Sequence, residues 1–405
     1  MKKSFLIPLV LFCCPVAAVA GEQPEVQAAA RDAVEWRHHI HQNPELSFEE
    51  YKTSNYVADL LSSFGHIEVL RPTKTSVVGI LRGGKPGKTV GFRADMDALP
   101  VQEQTGFSFA SKTPGVSHAC GHDMHTAMLL GTARVLASMQ KELPGTVYFI
   151  FQPGEEKSPG GALPIIKSGV LKGVDAIFGA HVMPHEPAGS IGILPAGAAS
   201  SSSDGFFLTI QGKGSHGSMP QLGVDPIVTG SEIVIALQTV VSRNATPGDM
   251  AVITVGKFQS GSAPNVIPAT AELGASIRSV TPETRKLLEE RTRSVIDHVC
   301  KANGAEYKLD YVLGYPSIQN NAALRELVKK AAMEAVGEKN VADAPRMPAS
   351  EDFSYYAQVA PTYFMTIGSG AGPANHNPGF KADDGAILNG IRTEVRVILN
   401  YLNAK

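Results

Sequence analysis

The stretch "SHACGHDMHTAM", residues 117–128, gathers Cys120, His118, His122, His125 and Asp123 into one short window. Cys120 and His122 flank a glycine, so a tight loop can present a thiolate and an imidazole to the same point, and both are ligands for divalent cations. Taken alone, Cys-x-His is a weak signal, and a structural role stays open. Three further segments add donors: Glu155 and Glu156 in "FQPGEEKSPGG", His181 in "GAHVMP" and His376 in "ANHNPGF". The glutamate pair discriminates most. At a metal site one carboxylate can ligate while the other accepts a proton from water and passes it to a leaving amine. A site that only stores or braces a metal has no need of the second glutamate; the plain alternative is a pair of exposed loop carboxylates.

Such residues need a frame that brings them together. The apolar runs "TSVVGILRG", "KTVGFRAD", "GTVYFIFQP", "DAIFGAHV" and "PTYFMTIGSG" are bounded by turn residues and separated by helical segments at 124–140 and 161–168. This alternation predicts an α/β fold, a mixed or mostly parallel sheet with helices on both faces. Asp95 and Asp97 follow one strand, Glu155 and Glu156 another, His181 ends a third and His376 follows a fourth. They converge on the rim where open α/β sheets bind ligands. Residues 25–64 read as helices flanking the sheet, broken at "QNPELS". The middle of the chain reads β-α-β-β-α-β, a ferredoxin-like α+β unit inserted over residues 197–312. The catalytic domain is then discontinuous, 21–196 and 313–405, resuming with helices near 321–336 and 384–402.

At 405 residues and 43% hydrophobic content, the chain has length for two domains or more. Residues 1–20 stand apart. Lys2 and Lys3 precede a short, proline-interrupted apolar run that ends in Ala18-Val19-Ala20 before Gly21. That pattern predicts a cleaved signal peptide and a periplasmic or secreted protein, with an uncleaved or lipidated anchor at Cys13 or Cys14 as the alternative. No later stretch is apolar enough to span a bilayer, so no stable membrane insertion is expected after cleavage. The formal charge of −2 becomes −4 without Lys2 and Lys3, which speaks against nucleic acid as a partner and favours a small molecule. Cleavage leaves Cys120 and Cys300, for which a disulfide is the ordinary expectation in an oxidising compartment; a metal is the better use of Cys120.

"RADMDALP", "HACGHDMHTA", "FQPGEE", "GAHVMP", "GKGSHGSMP" and "NHNPGF", in this order across nearly the whole mature chain, resemble the M20 metallopeptidase family, specifically its amidohydrolase branch. That branch includes hippurate hydrolases, N-acyl-amino-acid amidohydrolases and indole-acetyl-amino-acid hydrolases. The resemblance implies a two-metal centre bound by Cys120, His122, Glu156, His181 and His376, with Cys120 bridging the ions and Glu155 as general base and acid. It makes manganese the favoured ion, with zinc, cobalt or nickel as alternatives. Asp95, Asp97, Asp123 and His125 are candidates to orient ligands, and Asp95 or Asp123 could touch metal directly. His216 of "GSHGSMP" resembles the histidine that supports the developing oxyanion; Asn265 and Arg278 fall where the substrate carboxylate is held. Gly217, Ser218 and Gln221 depart from the branch's commoner wording, which bears on substrate preference. A homodimer or homotetramer, joined through the inserted domain, is implied as well. The activity implied is hydrolysis of N-acyl amino acids; a dipeptidase or carboxypeptidase with the same centre, or an envelope metal- or solute-binding protein, are the alternatives. His38, His39 and His41 are expected at an exposed helix end, Cys300 as a small apolar residue, and no role falls to His66, His185 or His298.

Overall fold

The computed structural model describes residues 24–404; the expected signal segment, with Cys13 and Cys14, lies outside the described residues. The chain begins with helices α1 (Pro24–Gln42) and α2 (Tyr51–Ser63). Strands β1 (Ile67–Leu70), β2 (Val77–Arg82) and β3 (Lys85–Asp95), helix α3 (His122–Ser138), strand β4 (Pro144–Gln152), helix α4 (Ala162–Lys167) and strands β5 (Ala176–Met183) and β6 (Ile191–Ile193) follow. The middle holds β7 (Gly197–Ala198), β8 (Asp204–Gln211), β9 (Ser215–His216), α5 (Pro226–Asn244), β10 (Ala251–Ser260), β11 (Val266–Ile267), β12 (Thr270–Ser279), α6 (Pro282–Ala302) and β13 (Glu306–Val312). The chain ends with β14 (Gln319–Asn320), α7 (Ala322–Val336), β15 (Val341–Asp343), β16 (Thr362–Gly368) and α8 (Gly385–Asn403).

Eight strands form one mixed sheet in the order β1-β2-β4-β3-β5-β16-β6-β15. Its centre, β4-β3-β5-β16, is parallel, and β1, β2 and β6 run antiparallel to their neighbours on the central side. Strand residues alternate between faces, so a sheet covered on both sides is apolar at most positions rather than at every second one. β16, "TYFMTIG", is buried throughout, and β4 splits its side chains: Phe149 and Phe151 join the core beneath α1, α3 and α8, while Ile150 joins the core on the opposite face. Replacing Phe149 by alanine would cost about 3–5 kcal/mol in such packing. The helices predicted at 124–140, 321–336 and 384–402 are α3, α7 and α8. α3 starts at His122, two residues before the predicted 124, which places His122 in its first turn.

The second sheet is antiparallel, in the order β10-β12-β8-β13. With α5 and α6 it follows β-α-β-β-α-β along the chain, the ferredoxin-like order. Phe206, Leu208 and Ile210 are buried in its core with residues of both helices, while Phe207 between them is exposed. Both helices start on a side-chain cap followed by proline. Asp225 accepts from the backbone N–H groups of Ile227 and Val228, and Thr281 from that of Thr284. Cys300 is a free thiol buried in this core, and Cys120 is also free. Among the described residues no helix is long and apolar enough to cross a membrane.

Candidate metal centre

The carboxyl ends of the central strands carry the donors. Asp95 closes β3 and Asp97 lies just beyond it; Glu155 and Glu156 sit in the loop after β4; His181 is on β5; His376 is in the loop after β16. The turn into α3 delivers Cys120, and the helix's first turn His122, from the side. Between them Gly121 has φ +93°, and a Cβ there would lie 2.3 Å from Val182 Cγ2, so the turn admits only glycine.

The donor atoms form overlapping groups, Cys120 with His122 and His181, and Cys120 with Glu156 and His376, each within 4.8 Å. Cys120 Sγ lies 3.4 Å from His181 Nε2, and His376 Nε2 lies 3.0 Å from Glu156 Oε1. His122 Nε2 is buried and makes no hydrogen bond; it is 3.7 Å from Asp95 Oδ2 and 3.9 Å from Glu156 Oε1. The His122–Glu156 separation is long for a hydrogen bond and suits atoms that share an ion at bonds of about 2.0–2.3 Å, whereas Asp95 is committed to Arg93 and His125. His181 Nδ1 donates to the carbonyl of Val182 at 2.8 Å and His122 Nδ1 faces Asp97 Oδ1 at 3.3 Å, so each Nε2 points into the donor groups. Burial would lower His122, but Asp95 and Cys120 raise it well above the usual imidazole range, so there a cation must displace a proton. The set therefore fits divalent ions, with Cys120 common to both groups.

Electrostatics separate the groups by task. Burial, then His125, lowers His181 to about 3, which keeps it neutral as a ligand must be. Hydrogen bonds to Cys120 and Glu156 raise His376 to about 10, so a proton occupies that corner until a cation displaces it. Glu155, 7% exposed, is pushed well above the usual carboxylate range by burial first and then by Glu351, Glu156 and Asp352. It is a carboxyl poised to hold and release a proton.

The surroundings fix these side chains. Asp97 accepts from the backbone N–H of Glu155 (3.1 Å) and of Glu156 (3.0 Å) while facing His122. His125 gives Nδ1 to Asp95 (2.6 Å) and takes the N–H of Val182 on Nε2 (2.8 Å); both nitrogens are committed, so it orients and does not ligate. Asp123 turns away to Arg37 Nε (3.0 Å) and His41 Nδ1 (2.9 Å), which removes it from the donor groups. His41 corrects one expectation: it is buried, held between Asp123 and Glu103, and raised to about 9 although burial alone would lower it. Helical periodicity cannot reveal that the end of α1 is covered by the 103–111 loop. Beneath the site the buried Arg93 donates to Asp95 (2.6 Å), Glu351 (2.9 Å) and Asp352 (2.8 Å).

A cavity of about 650 Å³ opens over the donors, lined among others by Glu155, His181, His376, Arg278, Tyr315 and Glu351. Arg278 on β12 thus joins the site from the second sheet. His216 and Asn265 do not line it. They meet on the β9–β11 ribbon, where Gly217 N–H donates to the Asn265 carbonyl (2.8 Å) and the exposed His216 pairs with Ser218 Oγ (2.7 Å). Sequence reasoning missed Glu351, Tyr315 and Arg93. A second adjacent acidic pair, Glu351-Asp352 in "ASEDFS", was the available signal for the first.

A two-faced α/β sheet with clustered thiolate, imidazole and carboxylate donors on its rim and a buried glutamate beside them is the frame of a metallohydrolase. Residues 91–400 match peptidase family M20/M25/M40, and the chain belongs to that family. It is 43% identical to the N-acyl-L-amino acid amidohydrolase of Geobacillus stearothermophilus over 73% of this chain and 80% of that protein. With the hippurate hydrolase of Campylobacter jejuni it shares 37% identity over 94% of this chain and 99% of that one. The crystal structure of a Bacillus subtilis protein described as a dinuclear metal binding peptidase of the M20 family superimposes with a TM-score of 0.82 at 34% identity, covering 94% of this chain and all of the other.

Proposed function

We propose that this protein is a two-metal amidohydrolase that splits N-acyl amino acids into a carboxylic acid and a free amino acid. The observation that carries the reading is Glu155, raised by burial and then by its acidic neighbours, beside metal-capable donor groups that share Cys120. The amidohydrolase and hippurate hydrolase named above support the substrate class. Cys120, His122, Glu156, His181 and His376 would hold the ions, manganese first and zinc, cobalt or nickel as alternatives. Bound divalent ions supply Lewis acidity that polarises an amide carbonyl and acidifies water. Glu155 takes the proton of the attacking water and hands it to the departing nitrogen. Arg278 presents a guanidinium, shaped to grip the substrate carboxylate.

The same proposal makes residues 197–312 a lid and subunit-contact domain. His216 and Asn265, exposed on their ribbon, reach substrate only when that segment closes or when a partner in a homodimer or homotetramer supplies them. The N-terminal run ending at Ala18-Val19-Ala20 supports export to the periplasm or beyond.

The test is hydrolysis of hippurate, N-acetyl-methionine, indole-acetyl-alanine and a plain dipeptide, with and without chelator, by the wild type and by Glu155→Gln. Chelator-sensitive turnover of the acylated substrates, lost by several powers of ten in the variant with its metal retained, is the expected result. Full activity of Glu155→Gln, or metal binding without turnover of any substrate, would overturn the assignment.

A further inference from the structure

The loop that carries Glu155 is fastened from several directions. Gly154 N–H donates to Glu50 Oε1 (2.8 Å), and the N–H groups of Glu155 and Glu156 donate to the two carboxylate oxygens of Asp97. The carbonyl of Glu155 accepts from the hydroxyl of Tyr315 at 2.7 Å. Peptide units are planar, so holding the planes before and after Glu155 fixes both of its soft backbone angles and hence the direction of the Cα–Cβ bond from which its side chain starts. Glu50 and Asp97 belong to the first sheet's side of the molecule. Tyr315 does not.

Tyr315 lies in the segment by which the chain returns from β13 on the second sheet. Gly314, just before it, donates its N–H to Asp204 Oδ1 (3.0 Å) and accepts from Arg285 Nη2 on its carbonyl (2.7 Å). Arg285 also grips both oxygens of the buried Asp204, at 2.7 and 2.8 Å. Asp204 opens β8 and Arg285 is in the first turn of α6, so both belong to the second sheet's unit. The crossing has no slack: a Cβ on Gly314 would lie 2.0 Å from the Ser203 carbonyl oxygen. Tyr315 is tied to Ser203 through both its N–H and its carbonyl, at 3.0 Å each. A continuous set of bonds thus runs from β8 and α6 through Gly314 and Tyr315 to the backbone of Glu155.

We propose that Tyr315 is a positioning residue through which the placement of the second sheet, and with it Arg278, sets the orientation of Glu155. This rests on the reading of Glu155 as the proton-transferring carboxylate. The Tyr315 hydroxyl is committed to a carbonyl, and its role is to aim Glu155.

The experiment compares the full-length, metal-loaded wild type with Tyr315→Phe, Arg285→Lys, the double variant and Glu155→Gln on an N-acyl amino acid. Tyr315→Phe keeps the ring and removes one oxygen. It should lower kcat about tenfold, as small misplacements of a catalytic group do, with KM within about twofold and with metal content and melting temperature retained. Arg285→Lys should lower kcat alone but add nothing in the Tyr315→Phe background, the mark of two residues acting in series. Wild-type kcat in Tyr315→Phe, equal effects of Arg285→Lys in both backgrounds, or a fall in metal content and melting temperature in step with kcat would each overturn the proposal. Activity retained by Glu155→Gln, or no turnover by the wild type, would remove Glu155 as proton carrier and the proposal with it; this is recognisable because the outcome does not depend on Tyr315.

Discussion

Glu394 on α8 is 2% exposed, and its carboxylate accepts a hydrogen bond from Thr132 Oγ1 on α3 at 2.7 Å. Burial raises it from 4.5 to about 8, with that hydrogen bond pulling weakly the other way. A carboxyl whose folded pKa lies above its unfolded one stabilises the fold most below the unfolded value, and that contribution is lost as pH rises toward the folded value. At about 1.4 kcal/mol per unit, ionisation here costs under about 1 kcal/mol near pH 5 and about 4 kcal/mol near pH 8. Glu394→Gln keeps an acceptor for Thr132 and cannot ionise. Its extra amide N–H adds a cost that does not change with pH, so the informative quantity is the change in the stability gap between variant and wild type. In urea unfolding of chelator-treated protein, which keeps metal linkage out, that gap should move by about 3 kcal/mol in favour of the variant from pH 5 to pH 8. A gap independent of pH would refute the reasoning, because it would mean that Glu394 ionises in the fold as readily as in the unfolded chain.

Asp97→Asn replaces an acceptor that serves His122 and two backbone N–H groups with a side chain half donor; metal affinity, by titration of stripped protein, should fall about 10- to 100-fold, and unchanged affinity would contradict the bracing role. Gly121→Ala, at φ +93° with 2.3 Å to Val182 Cγ2, should cost more than about 2 kcal/mol and lower the melting temperature; a neutral effect would mean the turn can relax. Arg278→Lys should raise KM for carboxylated substrates about tenfold with kcat nearly kept, since an ammonium cannot reproduce the two-pronged guanidinium contact; a fall in kcat at constant KM would place Arg278 in the chemical step instead.

Much of the frame was legible before any coordinates. Apolar runs with turn residues at each end marked β2, β3, β4, β5 and β16, because strands buried on both faces are apolar at most positions. The donors were legible by residue type and by their place after strand ends, since in a mostly parallel sheet consecutive strand ends meet on one rim. The hidden parts are those held by long-range contact. Nothing in the spacing of "WRHHIHQ" separates the buried His41 from the half-buried His38 and the exposed His39, because the difference lies in which distant loop covers α1. Arg93 reads as an ordinary strand residue until Glu351 and Asp352, far along the chain, close around it. Residue types and their order determined by themselves the α/β class, the ferredoxin-like strand order and the set of side chains able to bind metal and move protons. Only the tertiary structure decided that His125 and Asp123 brace while His122 faces the centre, that Arg278 reaches the cavity and His216 does not, and that Tyr315 holds Glu155. Those are matters of direction and of a few ångströms, fixed by packing between segments that the linear sequence keeps apart.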